Sequence, residues 1–150
     1  MMTLEAGSPS VTDQIGTRLA GALRTGDFIA LTGQMGAGKS HLARAVIRAL
    51  LDDPDAEVPS PTYTLINVYE HPISEIWHAD LYRLSGPDDL LELGLEEGTD
   101  HAIALVEWAE RWPDPPARRL EIEIIPEGGD RRMLTISAHG DWRAVMQALS

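Results

Sequence analysis

The segment Gly33-Gln34-Met35-Gly36-Ala37-Gly38-Lys39-Ser40 restricts this chain more than any other stretch. It matches the pattern GxxxxGK followed by Ser or Thr, in which each fixed position has a physical job. The glycines let backbone N–H groups turn inward onto phosphate oxygens, Lys39 reaches the β- and γ-phosphates, and Ser40 offers a hydroxyl to Mg²⁺. Of the 12 Lys and Arg residues, Lys39 alone is lysine. A compact ammonium suits point-charge contact with phosphate, where a planar guanidinium fork would not. The flanks fit as well. Asp27 to Thr32 reads as a short buried strand entering Gly33. From Ser40 to Leu51, apolar residues at Leu42, Ala45, Val46, Ala49 and Leu50 have helical spacing, with Arg44 and Arg48 on another face. Strand, glycine loop and helix is the order a phosphate site needs, because the helix N-terminus adds the positive end of its dipole.

At 150 residues the chain is expected to form a single domain, residues 1–150, with a proper core. Its 43% hydrophobic content is that of a globular protein, and no apolar run approaches a membrane span. No signal peptide is evident, since Met1 to Pro9 lacks a basic start and an apolar block. With no cysteine, disulfides and thiolate metal sites are excluded, and a cytoplasmic location is expected. A net charge of −12 argues against a large self-sufficient nucleic-acid footprint.

Other segments fill in an α/β fold. Ser10 or Thr12 is expected to cap a first helix running to about Leu23, with Ile15, Leu19, Ala22 and Leu23 as its apolar stripe. Asp52 to Pro61 is a long acidic, proline-rich loop, a type that is usually functional or mobile. Tyr63 to Tyr69 and Glu75 to Asp80, parted by His71-Pro72, read as a β-hairpin. A short helix is expected within 86–95, using Leu90, Leu91 and Leu93, with Ser85 or Asp88 as cap. Ala102 to Glu107 reads as a strand from the middle of a parallel sheet. Arg119 to Ile125 and Arg132 to Ser137 alternate in period two around Gly128-Gly129, a second hairpin, and Asp141 to Leu149 closes the chain as a helix. Together these imply a single P-loop NTPase domain: a mixed, mostly parallel sheet flanked by helices, with antiparallel hairpins.

A nucleotidase of this kind also needs an acid at the end of an apolar strand, to hold Mg²⁺ directly or through water. Two strands end in one, at Asp80 and Glu107. We assign Asp80 to the metal and Glu107 to orienting or activating the attacking water; each could instead be a solvated strand-end carboxylate. His78 faces the same side as Asp80 and could tune its pKa, contact a phosphate, or be an ordinary strand histidine. His41, His71, His101 and His139 lack metal-ligand spacing.

Further blocks carry a resemblance. Ser60-Pro61-Thr62-Tyr63-Thr64, His78-Ala79-Asp80-Leu81-Tyr82-Arg83-Leu84, Glu92-Leu93-Gly94-Leu95 and Val106-Glu107-Trp108-Ala109-Glu110-Arg111 follow the glycine loop in order. From about Thr12 to Arg111 the chain resembles the bacterial TsaE (YjeE-type) ATPase family, required to form threonylcarbamoyladenosine at position 37 of tRNA. The resemblance implies ATP and Mg²⁺ as ligands. It implies a nucleotide-binding set of Gly33, Gln34, Met35, Gly36, Ala37, Gly38, Lys39, Ser40, His41, Thr62 and Trp108. Lys39 and Glu107 are then catalytic, while Ser40, Asp80 and Glu107 surround the metal. Ser60-Pro61-Thr62 matches a mobile, switch-like loop over the γ-phosphate. The expected partner is a heterodimer of the TsaD and TsaB type that turns the ATPase on, with tRNA engaged only through that complex. Two departures are mild: Ser40 stands for a more frequent threonine, and His41 for a second hydroxyl residue.

The main rival is a small-molecule P-loop kinase. Such enzymes usually close a basic lid over both substrates, and between Asp52 and Gly98 the only cation is Arg83. A guanine-reading NKxD motif is impossible with the single lysine already committed. A module that holds ATP without turnover is a further alternative. Arg83 and Arg111 are the candidates for a cis arginine finger.

Overall fold

A computed structural model of the chain describes every residue except Tyr63 and Ser85, and every side chain among them except those of Pro87, Leu91 and Glu92. The expected cap at Ser85, the start of the first hairpin at Tyr63 and the packing of Leu91 lie outside the described residues. In chain order the elements are β1 (Met2–Ala6), α1 (Pro9–Ala22), β2 (Phe28–Thr32), α2 (Lys39–Leu50), β3 (Ile66–Tyr69), β4 (Glu75–Asp80), α3 (Pro87–Leu93), α4 (Leu95–Gly98), β5 (Ala102–Glu107), β6 (Arg119–Pro126), β7 (Arg132–His139) and α5 (Arg143–Leu149). Short 3-10 turns at Thr99–His101 and Ala109–Arg111 flank β5.

The seven strands form one sheet in the order β1-β7-β6-β2-β5-β4-β3. Its centre, β6-β2-β5-β4, is parallel, and the margins are antiparallel. The mixed sheet and both hairpins match the sequence expectation. β5 is buried at every residue, as befits a strand with parallel neighbours on both sides.

Period-two alternation in the central strands builds two cores. Ile29, Leu31, Leu105, Ile122 and Ile124 face α1, α2 and α5. Phe28, Ala30, Ala104 and Val106 face the other way, onto Leu90, Leu95 and Trp112. Phe28 and Trp112 meet edge to face, with ring centroids 5.3 Å apart. α1 and α2 touch so closely that a Cβ on Gly16 would lie 2.7 Å from Cβ of Ala45.

Three local readings need correction. β1 was read only for the absence of a signal peptide, yet it pairs antiparallel with β7. Its Met2, Leu4 and Ala6 face inward in simple alternation. α1 begins earlier than expected: Ser8, rather than Ser10 or Thr12, accepts the N–H of Val11, and Pro9 occupies the first helical turn. β3 starts at Ile66 because Leu65, at φ 69°, breaks the extended run.

Candidate nucleotide site

The site forms where β2, β4 and β5 end together. In the β4–β5 register Asp80 pairs with Glu107, and in the β2–β5 register Leu31 pairs with Glu107. Paired residues of parallel strands share a face, so both carboxylates lie on the side that carries α2. This is the carboxyl edge of the sheet, where open α/β sheets bind ligands.

Between β2 and α2 the chain turns through Gly33, Gly36 and Gly38, at φ 140°, 77° and 111°. At Gly33 a side chain would also collide with β6, because an added Cβ would lie 2.6 Å from the carbonyl oxygen of Ile124. The N–H groups of Gly36, Gly38, Lys39 and Ser40 donate to no acceptor among the described residues. Four unpaired donors in a glycine loop at a helix N-terminus are what an anion cradle requires.

Lys39 is only 4% exposed. Its Nζ donates to the carbonyls of Gly33 and, at 2.9 Å, Gln34, and it lies 4.1 Å from the ring centroid of Trp108. Burial is the strongest influence on its ammonium and lowers its pKa; Glu110, Glu107 and Asp80 pull the other way. Trp108 holds a left-handed backbone, φ 55°, immediately after Glu107. Its ring packs at 4.9 Å against Tyr82, and the Arg111 guanidinium lies 5.6 Å from the Tyr82 ring.

Glu107 is gripped from two sides. Ser40 Oγ donates to Oε1 at 2.7 Å, and His78 Nε2 meets Oε2 at 2.5 Å. His78 is fully buried and its Nδ1 has no partner among the described residues. An unpaired buried nitrogen is least costly without a proton, so Nε2 carries the hydrogen and donates to Glu107. Full burial rules out a phosphate contact for His78, one of the three roles expected of it; a small lowering of the Asp80 pKa and the role of an ordinary strand histidine both stand. Its main contact is Glu107.

Asp80 Oδ1 accepts the N–H of Tyr82 at 2.9 Å, and Oδ2 accepts from Thr62 Oγ1 at 3.4 Å. Burial, the largest effect, raises its pKa; the Glu107 carboxylate raises it further, against the hydrogen bonds of Tyr82 and Thr62. Thr62 in turn meets Ser60 Oγ at 2.7 Å, which brings the Ser-Pro-Thr segment to the same edge.

A cleft of about 360 Å³ collects Met35 to His41, Thr62, Asp80, Glu107 and Trp108. Gly33 and Gln34 do not line it but supply the carbonyls that hold Lys39. His41 leans toward α1, with Nε2 2.8 Å from Asp13 Oδ1. Two lining residues were missed: Arg44 and Tyr82. Arg44 follows Ser40 by one helical turn, a spacing readable in the sequence. Tyr82 gave no such signal. Neither Arg83 nor Arg111 lines the cleft.

No group of three or more His, Cys, Asp or Glu side chains among the described residues could hold a metal unaided. Mg²⁺ rarely uses such a cage; it takes one or two carboxylates plus substrate phosphates. A Ser hydroxyl and two carboxylates beside an anion cradle fit that donor set. By donating its one hydrogen to Glu107, Ser40 keeps its oxygen lone pairs for a cation. No helix among the described residues is long and apolar enough to cross a membrane.

Known proteins resemble the chain along most of its length. A model of the family described as "Threonylcarbamoyl adenosine biosynthesis protein TsaE" matches residues 6–134, a wider span than the motifs alone suggested. A protein of Rickettsia bellii named tRNA threonylcarbamoyladenosine biosynthesis protein TsaE is 34% identical over 131 residues, 87% of this chain and 90% of its own. The protein of the same name from Bacillus subtilis is 33% identical over 136 residues, 89% of this chain and 84% of its own. The crystal structure of Bacillus subtilis YdiB superposes with a TM-score of 0.81 at 27% identity, covering 99% of this chain and 93% of that one.

Proposed function

The chain belongs to the TsaE family, and we propose that it is the Mg²⁺-dependent ATPase of tRNA threonylcarbamoyladenosine biosynthesis, working as one P-loop domain in the cytoplasm. One observation carries this reading: the Ser40 hydroxyl sits 2.7 Å from Glu107, joining the glycine loop to the acid-tipped strands in one cleft.

The residues divide the work by their chemistry. Lys39 leaves the carbonyls of Gly33 and Gln34 for the β- and γ-phosphates, drawn by stronger charge-assisted bonds. The backbone from Gly33 to Ser40 lines the phosphates, with His41 beside them. Ser40 and Asp80 would hold Mg²⁺, with Glu107 close by, and the ion would supply charge neutralisation to the phosphates. Glu107 orients the attacking water and accepts its hydrogen bond. As the water oxygen bonds to the γ-phosphorus, the bond to the β–γ bridging oxygen breaks, the water's proton passes to the released phosphate, and ADP and phosphate leave. Trp108 covers Lys39 and flanks the nucleotide.

Thr62 is tied to Asp80, so the Asp52–Pro61 loop and the Ser-Pro-Thr segment after it sense whether the metal and γ-phosphate are bound. Such a loop orders with triphosphate and relaxes after hydrolysis, giving a partner two surfaces to distinguish. The partner is a TsaD–TsaB type pair, which hydrolysis resets, and tRNA is engaged only through it. A net charge of −12 suits docking on a basic partner surface. Arg44 is the lining arginine of the cleft, yet the site has no assured arginine finger, and slow turnover alone is expected.

Phosphate release from ATP and Mg²⁺, measured with and without the partner pair, tests the proposal. Stimulation well above about threefold is expected, since added transition-state contacts of this kind are worth about 10³–10⁵. Stimulation below about threefold contradicts partner-gated turnover. Transfer of the γ-phosphoryl to a small acceptor, without water-dependent release, would instead support a kinase.

A further inference from the structure

Far from the glycine loop in sequence, Arg132 opens β7 and directs its side chain back to that loop. Its Nε donates to the carbonyl oxygen of Ala37 at 2.7 Å. Its Nη1 donates to the carbonyls of Gly129 and Arg131, each at 2.9 Å. One guanidinium thus ties the turn of the β6–β7 hairpin to the peptide that joins Ala37 to Gly38.

That peptide has no hydrogen bond from within the loop: among the described residues its carbonyl accepts from Arg132 and its N–H has no acceptor. Gly36 and Gly38 stand on either side of Ala37 at φ 77° and 111°, conformations in which glycine pays little steric cost. Rotation of the peptide between Ala37 and Gly38 turns on ψ of Ala37 and φ of Gly38, and the glycine leaves the second of these free unless something holds it. In a trans peptide the C=O and the following N–H point in opposite directions, and this chain has no cis peptide bonds among its described residues. Holding the Ala37 oxygen toward β7 aims the Gly38 N–H away from β7. That N–H is one of the unpaired donors of the cradle.

We infer that Arg132 is a positioning residue for phosphate binding: it fixes the Ala37–Gly38 peptide plane so that the Gly38 N–H is set for the nucleotide before the nucleotide arrives. Arg132 acts through the loop and does not touch ATP. The inference rests on the ATPase reading only for its effect on nucleotide affinity. The orientation of the peptide exists with or without ATP.

Two variants and two readouts test it. Arg132→Gln is expected to raise the KM and Kd for ATP about tenfold, the loss of about one preoriented hydrogen bond, while kcat changes much less. In the nucleotide-free protein the Gly38 amide resonance should broaden as its peptide plane samples other orientations. Arg132→Lys keeps the charge but has a single donor head that cannot hold Ala37 and both hairpin carbonyls at once. Its KM should fall between wild type and the Gln variant. An unchanged Gly38 amide in both variants, or an Arg132→Lys KM equal to wild type, overturns the inference, the latter by assigning the effect to charge alone. Should Arg132→Gln fail to fold, the Lys variant decides by the same two readouts. Absence of ATP binding in the wild type would sink the proposed function and leave the nucleotide-free amide measurement to judge Arg132.

Discussion

Glu107 is the residue whose surroundings say most about its work. Its two oxygens are held separately, Oε1 by Ser40 and Oε2 by the buried imidazole of His78. A carboxylate fixed this way cannot rotate out of the cleft, as a positioned water-orienting group requires. Removing it outright would strand the buried His78 N–H and the half-buried Ser40 hydroxyl, so the informative change keeps its shape. Glu107→Gln is expected to bind ATP about as well as wild type and to hydrolyse it about 10²- to 10⁴-fold more slowly in single-turnover assays. Loss of ATP binding would move Glu107 to a binding role. Gly33 offers a second test at this scale. With φ at 140° and Ile124 oxygen 2.6 Å from an added Cβ, Gly33→Ala should lower stability by about 1–3 kcal/mol, read by thermal melting, and weaken ATP binding. At this scale the glycines, Lys39 and Ser40 were legible because their chemistry is written in a contiguous pattern. The partner of His78, the left-handed Trp108 and the latch from Arg132 were not. Each depends on which strand ends meet in space, and spacing within one segment does not contain that.

Elements with a clean period were readable, and their ends were not. β5, β6 and β7 follow from uninterrupted or alternating apolar residues, and α2 from its stripe. β1 alternates too, but a five-residue strand carries little weight until β7 offers it a partner. The start of α1 shifted because Ser8, Ser10 and Thr12 are all acceptable caps, and Pro9 favours the first of them. α5 shows how one acid can secure an end. Asp141 accepts from the Arg143 backbone N–H at 3.1 Å and from its guanidinium at 2.9 and 3.1 Å. Those bonds hold the Asp141 carboxyl down at about 2, below its ordinary 3.8. Because the folded value is the lower, the contribution to stability is fully present above 3.8 and is lost as pH falls through about 2. Asp141→Asn should therefore show a smaller drop in Tm than wild type across that window. An identical acid profile would remove Asp141 from the balance.

Across the whole molecule, one sheet with two cores puts the carboxyl ends of β2, β4 and β5 at a single edge. That convergence turns a glycine loop, two strand-end acids and the Ser-Pro-Thr segment into one cleft. The sheet's mixed character was foreseeable from alternating and continuous apolar runs. Its strand order was not, because crossovers leave no mark on local period. The central claim is that a triphosphate lies in the cradle around Lys39. Calorimetric titration of ATP with Mg²⁺ into wild-type protein and Lys39→Ala tests it most directly. The account predicts saturable one-to-one binding by the wild type and none measurable by the folded variant; equal binding by the two would contradict it.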